Sequence, residues 1–350
     1  MPVLQPIIDR IARNETISRD EALAFASDSA LRADLFDTAA EATKRFASRI
    51  FNICGIVSIK TGACSCNCKW CAQSTHWTSS SIPIHPILPV SEVDASAERA
   101  AAGGITRFSL VASGRKPSAR ETRMYAEHLK KLRSTNPKLE LCASLGLLNE
   151  KDLAVLKDAG LVRVHCNLET SERFFPQVCS SHTWEDKVKT IRAAKAAGLE
   201  VCSGGLFGMG ETAEDRIDLA FALRELEVPS IPLNLLDPRP GTPLEHAPKL
   251  PEDHFLTTVA LYRLINPQAE LRFAGGRLQL SEYAVREAMR IGVNSAICGS
   301  LLTTDTMGPT AEAERFMAAG YEADEVMADV LERSGGTDCE EDAVCAACAS

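Results

Sequence analysis

Cys64, Cys68 and Cys71 stand as C-x3-C-x2-C within residues 60–72, KTGACSCNCKWCA. Thiolates are soft ligands that suit iron–sulfur clusters, and short spacings gather several on one loop. Three such cysteines leave one iron of a 4Fe–4S cubane without a protein thiolate. A small chelating molecule can bind at that open iron. The competing reading is a structural zinc loop, which usually takes four ligands in two close pairs. Cys66 lies inside the spacer and breaks no spacing. It reads as an extra thiol, not as a cubane ligand.

A second group of thiols stands near the end of the chain, Cys339, Cys345 and Cys348, spaced C-x5-C-x2-C after Ser334-Gly335-Gly336. Three cysteines in ten residues at a terminus are poor core filler. They read as a metal or redox site on a flexible hinge, against the alternative of incidental thiols in a disordered tail. None of the seven histidines pairs at i, i+4 with another ligand, and none is assigned a metal role.

The elements that must position these groups alternate. Residues 1–50 are helical in pattern and are expected to cover one end of the core, with Thr16 or Ser18 capping the second helix. Short apolar strands come next at 55–59, 108–112, 139–144, 162–168, 200–207, 231–236, 271–274 and 295–298, as buried parallel strands should read. Capping-box patterns open several of the intervening helices: Ser91/Asp94, Ser118/Glu121, Thr183/Asp186 and Thr212/Asp215. Eight strands over about 245 residues fit a (β/α)8 barrel. A doubly wound sheet would prefer a glycine-rich phosphate loop where this chain has the cysteine loop. The organisation expected is a helical extension over 1–50, the barrel over 51–305, and a C-terminal helix with the cysteine tail over 306–350.

Barrel chemistry sits at the C-terminal ends of the strands, which is where the cysteine loop falls. Asn167, Glu169, Cys202, Asn234 and Arg272 become candidates by the same position. Each has a plainer reading. Cys142 and Cys202 would serve as small buried residues, and Asn167 and Asn234 would satisfy loop backbone. Arg272, pointing inward, needs an anionic partner or ligand. The glycine run at 204–210 would let backbone approach a ligand.

Bulk composition narrows the classes. The chain has 350 residues and 45% apolar content, enough for a sizeable core. A net charge of −9 and 5% aromatics disfavour a nucleic-acid partner. No signal-peptide pattern and no run of about 18 apolar residues is present, so a cytoplasmic protein without a membrane partner is expected. Thirteen cysteines in such a compartment read as ligands or reactive thiols before disulfides.

The chain resembles the biotin synthase family of the radical S-adenosylmethionine (SAM) enzymes over nearly the whole barrel. The likeness rests on KTGAC…C…C, AAAGGITRFSLVASG (100–114), LCASLGLL (141–148), CNLETS (166–171), EVCSGGLFGMGET (200–212), LNLLDPRPGTPL (233–244), LRFAGGR (271–277) and SLLTT (300–304). The resemblance implies insertion of sulfur between two unactivated carbons of dethiobiotin. Two SAM molecules each yield a 5′-deoxyadenosyl radical. It implies that Cys64, Cys68 and Cys71 hold the SAM-binding cubane and that Trp70 lies beside the adenine. Asn167 and Asn234 match the asparagines near the ureido ring. Glu169 replaces an aspartate at the SAM ribose, and Lys187 replaces an arginine. Cys142, Cys202 and Arg272 match three of the four ligands of a second, 2Fe–2S cluster that supplies sulfur. The fourth departs, since the family's R-F-C is Arg107-Phe108-Ser109 here. Serine oxygen is a harder, weaker ligand for this iron. The tail cysteines are therefore expected to complete a second cluster, 2Fe–2S or larger, delivered to the barrel mouth by the preceding helix. A flavodoxin or ferredoxin-type reductant and a homodimer are implied in the same way. The rival readings are a sister radical SAM enzyme of the hydrogenase-maturation or methylornithine type, and a non-catalytic cluster sensor.

Overall fold

The computed structural model describes residues 4–79, 82–299 and 307–334. Apolar runs separated by amphipathic stretches form parallel strands: β1 Asn52–Lys60, β2 Arg107–Ala112, β3 Glu140–Ser144, β4 Leu161–His165, β5 in two segments (Glu200–Cys202 and Gly205–Phe207), β6 Ser230–Leu235, β7 Glu270–Phe273 and β8 Ser295–Cys298. Each pairs in parallel with the next. β8 then returns to β1, from Asn52↔Ser295 to Gly55↔Cys298. The sheet is closed, so the fold is the expected (β/α)8 barrel and not an open doubly wound sheet.

β1 starts three residues earlier than its apolar pattern suggests, which draws Cys54 into the barrel wall. β5 breaks at Ser203-Gly204. There Ser203 Oγ accepts from Leu168 N at 3.2 Å and Asn167 Oδ1 accepts from Gly204 N at 3.2 Å, so side chains complete the ladder. Gly204 runs so close to β6 that a Cβ would stand 2.0 Å from the Pro232 carbonyl oxygen. The glycine run thus serves strand-to-strand approach, and among residues 204–211 only Leu206 lines the central cavity.

Three helices precede the barrel: α1 Gln5–Ala12, α2 Arg19–Ser27 and α3 Arg32–Phe46. Ser18 caps α2 in a box with Glu21, while Thr16 Oγ1 instead donates to the Leu264 carbonyl. The outer ring is α4 Val90–Ala102, α5 Ala119–Thr135, α6 Glu150–Asp158, the short α7 Phe175–Val178, α8 Trp184–Ala196, α9 Ala213–Glu225, α10 Glu252–Ile265 and α11 Glu282–Ile291. The boxes at Ser118/Glu121, Thr183/Asp186 and Thr212/Asp215 all form. Ser91 is not a cap, because α4 already begins after Pro89, and Asp94 is buried against Thr135 Oγ1. α2 packs on α9 and α10, and α3 on α10 and α11. The N-terminal helices therefore flank the barrel's side instead of covering an end of its core. α10, between them and the barrel, is buried without a break from Phe255 to Ile265.

After β8 come α12 Pro309–Ala318 and α13 Glu325–Ser334. Phe316 stacks on Phe51 with ring centroids 5.2 Å apart, and the Tyr321 hydroxyl donates to Met289 O at 2.9 Å. Met327 of α13 packs at Gly104, in the turn leading into β2. That turn is at the N-terminal end of the strands, opposite the mouth, so α13 packs at the far end of the barrel from the cysteine loop. Cys339, Cys345 and Cys348 lie outside the described residues, as does 300–304.

Candidate active site

β1 ends at Lys60, and the chain turns sharply through Gly62 and Ala63, with φ of 70° and 50°. The cysteine loop beyond this turn has almost no regular structure, so its polar backbone must be satisfied piecemeal. Cys64 N donates to Gln73 O at 2.9 Å, and Thr75 N donates back to Cys64 O at 2.8 Å. Asn67 Oδ1 accepts from Ser180 N and Ser181 N at 3.0 and 2.9 Å, and Lys69 N donates to Val178 O at 2.9 Å. The indole of Trp77 donates to Cys68 O at 2.9 Å. The bonds of Asn67 and Lys69 pin the cysteine loop to α7 and the segment after it, and the others close the loop on itself.

The loop forms one wall of a cavity of about 360 Å³ at the C-terminal ends of the strands. Cys64, Cys68 and Cys71 all line it, with Trp70, Asn167, Glu169, Lys187 and Asn234. Three thiols converging from a single loop suit a cubane with one open iron. Cys66 is also buried there. Burial pushes the Cys71 thiol up to about 11.

Glu169 holds a left-handed backbone, φ 72°, which costs a residue with a side chain roughly 1–2 kcal/mol. The neighbouring strand enforces it: Glu169 N donates to Gly204 O at 3.0 Å, and Glu169 O accepts from Leu206 N at 2.8 Å. Strain of this kind is found where a side chain must be aimed. Its carboxylate lies 3.9 Å from Lys187 Nζ. Burial pushes the Glu169 carboxyl up, more than Lys187 pulls it down. The Lys187 ammonium is also held up: burial opposes its charge, but Glu169 and nearby thiols outweigh that.

The asparagines do what the plainer reading expected, and more. Asn234 Nδ2 donates to Gly205 O and its Oδ1 accepts from Gly275 N, both at 3.0 Å. A primary amide has two donors and two lone pairs, so one of each is left over to face the cavity. Asn167 spends one lone pair on Gly204 N.

Below lies a buried polar floor. Arg272, fully buried, donates to Glu270 at 2.6 Å, to Asn52 Oδ1 at 3.0 Å, to Ser230 Oγ at 3.3 Å and to the Ala296 carbonyl at 3.1 Å. Its Nη1 also lies 3.0 Å from Cys54 Sγ. Arg163 bonds Glu200 at 2.8 Å and Glu270 at 3.3 Å. Cys142 and Cys202 are buried in this layer. Burial raises both thiols, opposed at Cys142 by Arg163 and then Arg107, and at Cys202 by Arg272 and then Arg163. Ser109 sits across from Cys142 in register, and its buried hydroxyl has no partner among the described residues. The donor set, thiols among guanidinium groups, fits an anionic iron–sulfur cluster.

Sequence reasoning missed Cys54, Cys179, His165 and His182. Cys179 Sγ is 3.6 Å from Cys68 Sγ and 3.4 Å from His182 Nδ1. Burial lowers His182, but its bonds to Cys179 and Cys66 outweigh that and raise it to about 9. His165 lines the cavity, lowered to about 3 by burial beside Arg163, Arg272 and Arg107, and its Nε2 has no partner among the described residues. Cys54 and His165 lie on different strands, and Cys179 and His182 reach Cys68 from the loop between α7 and α8, so an i, i+4 search on one helix finds none of them.

The fold and the cluster loop define a radical SAM enzyme. The sequence pattern of the radical SAM superfamily matches residues 58–223, and that of the biotin and thiamin synthesis associated domain matches residues 232–322. A biotin synthase of Porphyromonas gingivalis is 48% identical over 86% of this chain and 91% of its own length. Another, of Parabacteroides distasonis, is 43% identical over 87% and 92%. Among solved structures, methylornithine synthase superposes with a TM-score of 0.78 over 93% of this chain and all of its own, at 15% identity. The hydrogenase maturase HydG of Carboxydothermus hydrogenoformans superposes at 0.77 over 93% and 81%, at 17% identity. At such identities the structures speak for the fold alone. The chain belongs to the biotin synthase family. The cofactors are those of the class, a 4Fe–4S cluster and SAM, with the family's second iron–sulfur cluster.

Proposed function

We propose that the cavity binds SAM against the cysteine loop and dethiobiotin beneath it, and converts dethiobiotin to biotin. The observation that carries this reading is a single cavity lined by the three loop cysteines, by Asn167 and Asn234, and by Cys54, Ser109 and His165. A cubane held there would supply the electron that cleaves SAM, and a second cluster would supply the sulfur. Cys64, Cys68 and Cys71 hold the first cluster. Trp70 offers an apolar face to the adenine, and Glu169 and Lys187 offer a carboxylate and an ammonium to the polar parts of SAM. Asn167 and Asn234 present spare donors and acceptors to a ureido group, which itself has two N–H groups and one carbonyl. Cys142 and Cys202, beside Arg272, hold the second cluster. The apolar wall of Ile56, Val111 and Ile297 excludes water from a reacting carbon. A flavodoxin or ferredoxin-type protein reduces the cubane, and the enzyme acts as a homodimer.

The test is anaerobic turnover of the reconstituted chain with SAM, a reductant and dethiobiotin. Biotin should appear together with 5′-deoxyadenosine, and omitting dethiobiotin should suppress SAM cleavage. SAM cleavage with no biotin, unaffected by dethiobiotin, would send the reading back to the sister enzymes.

A further inference from the structure

The match to the family leaves the barrel floor one thiolate short, because Ser109 stands where a cysteine is expected. The structure places a third thiol in the same layer. Cys54 lies on β1, next to β2, and is 1% exposed. It reaches the floor of the cavity, which Cys142 and Cys202 do not line. Register explains how it can stand in for position 109. Ser109 pairs with Ile56, and Cys54 is two residues earlier on the same strand, hence on the same face as Ile56. The two side chains therefore enter the barrel from adjacent strands.

We propose that Cys54 is the third barrel thiolate of the second iron–sulfur cluster, with Cys142 and Cys202, in place of a ligand at Ser109. Two further observations point to a guest in this layer. The Ser109 hydroxyl is buried beside the cavity and has no partner among the described residues, and the same holds for His165 Nε2. Polar groups are seldom buried without a partner unless something else fills the space. Arg272 spends its Nε, Nη1 and Nη2 donors on protein acceptors, Cys54 Sγ among them. Arg272, the fourth position of the family's ligand set, thus has its Nη1 3.0 Å from the Cys54 sulfur, which puts Cys54 in that set's immediate surroundings.

This inference rests on the reading that the second cluster lies among Cys142, Cys202 and Arg272. The test reconstitutes the full chain anaerobically and measures iron, sulfide and the Mössbauer spectrum for Cys54→Ala and, in parallel, Cys142→Ala. The expected result is that both variants lose the second cluster. Each should keep the roughly four irons of the SAM cubane. SAM cleavage without biotin formation would confirm that the cubane and the fold survive. Cys54→Ser, nearly the same size, covers the case in which alanine prevents folding. It should shift the spectrum of one iron site or lose that cluster, and an unchanged spectrum overturns the proposal. If Cys142→Ala loses the cluster and Cys54→Ala keeps it at full iron content, the Cys54 assignment is wrong and the floor site stands. If both variants keep it, the floor reading fails as well.

Discussion

Asn234 works in two directions, and its substitution should show both. It ties Gly205 to Gly275 across the mouth of the barrel, and it keeps one donor and one acceptor for a ligand. Asn234→Ala should weaken dethiobiotin binding about 5- to 150-fold, the cost of one buried hydrogen-bond partner, with less effect on SAM. It should also lower stability by roughly 1–3 kcal/mol, readable as a lower Tm. Unchanged dethiobiotin affinity at a lowered Tm would leave the residue a purely structural role. At the cysteine loop, Cys64→Ala, Cys68→Ala or Cys71→Ala should each remove the SAM cubane's iron and abolish SAM cleavage. Cys66→Ala should do neither, although Cys66 is buried within the same loop. A Cys64→Ala protein that still makes 5′-deoxyadenosine at the normal rate would refute the assignment.

At the scale of elements, the site depends on how closely β5 and β6 approach. No flexible side chain stands in the way of a Cβ at Gly204. The obstacle is the Pro232 carbonyl, which cannot move without moving β6. Gly204→Ala should therefore destabilise the fold by more than about 3 kcal/mol, seen as insoluble protein or a large fall in Tm. A soluble variant with wild-type Tm would show that the two strands can part. The same junction forces the left-handed backbone of Glu169. Glu169→Asp fits that conformation more easily and retains the charge, so it should keep SAM binding within a few-fold. Glu169→Gln should weaken SAM binding about 10-fold or more, the worth of one charge-assisted hydrogen bond. Equal affinities for the two variants, by calorimetry, would remove the carboxylate's charge from the argument.

For the whole molecule, removal of the chain after α13 tests which cysteines serve the second cluster. The barrel interior already holds Cys54, Cys142, Cys202 and two arginines, so deleting residues 336–350 should leave the iron content of both clusters unchanged. Loss of the second cluster's iron on truncation would instead make Cys339, Cys345 and Cys348 its ligands, as their spacing suggests. Much of this protein was legible in the sequence by itself. Short apolar strands alternating with capped helices specify the barrel because a buried parallel strand and an amphipathic helix leave local periodic signatures. The cysteine loop was legible because Cys64, Cys68 and Cys71 are close together along one stretch of chain. Asn167, Asn234, Glu169 and Cys142 were placed at strand ends and interior positions by the same pattern. The tertiary structure alone decided where register and distance in sequence matter. The apolar pattern starts β1 at Gly55, one residue too late to show Cys54, and hydrogen bonding to β8 carries the strand back to Asn52. Cys54 and Arg272 are 218 residues apart and meet only when β7, β8 and β1 close the sheet. Cys179 and His182 reach Cys68 because Asn67 bonds the backbone after α7, a contact with no local signature. Periodicity records which face of an element is buried, and closure of the barrel decides what that face meets.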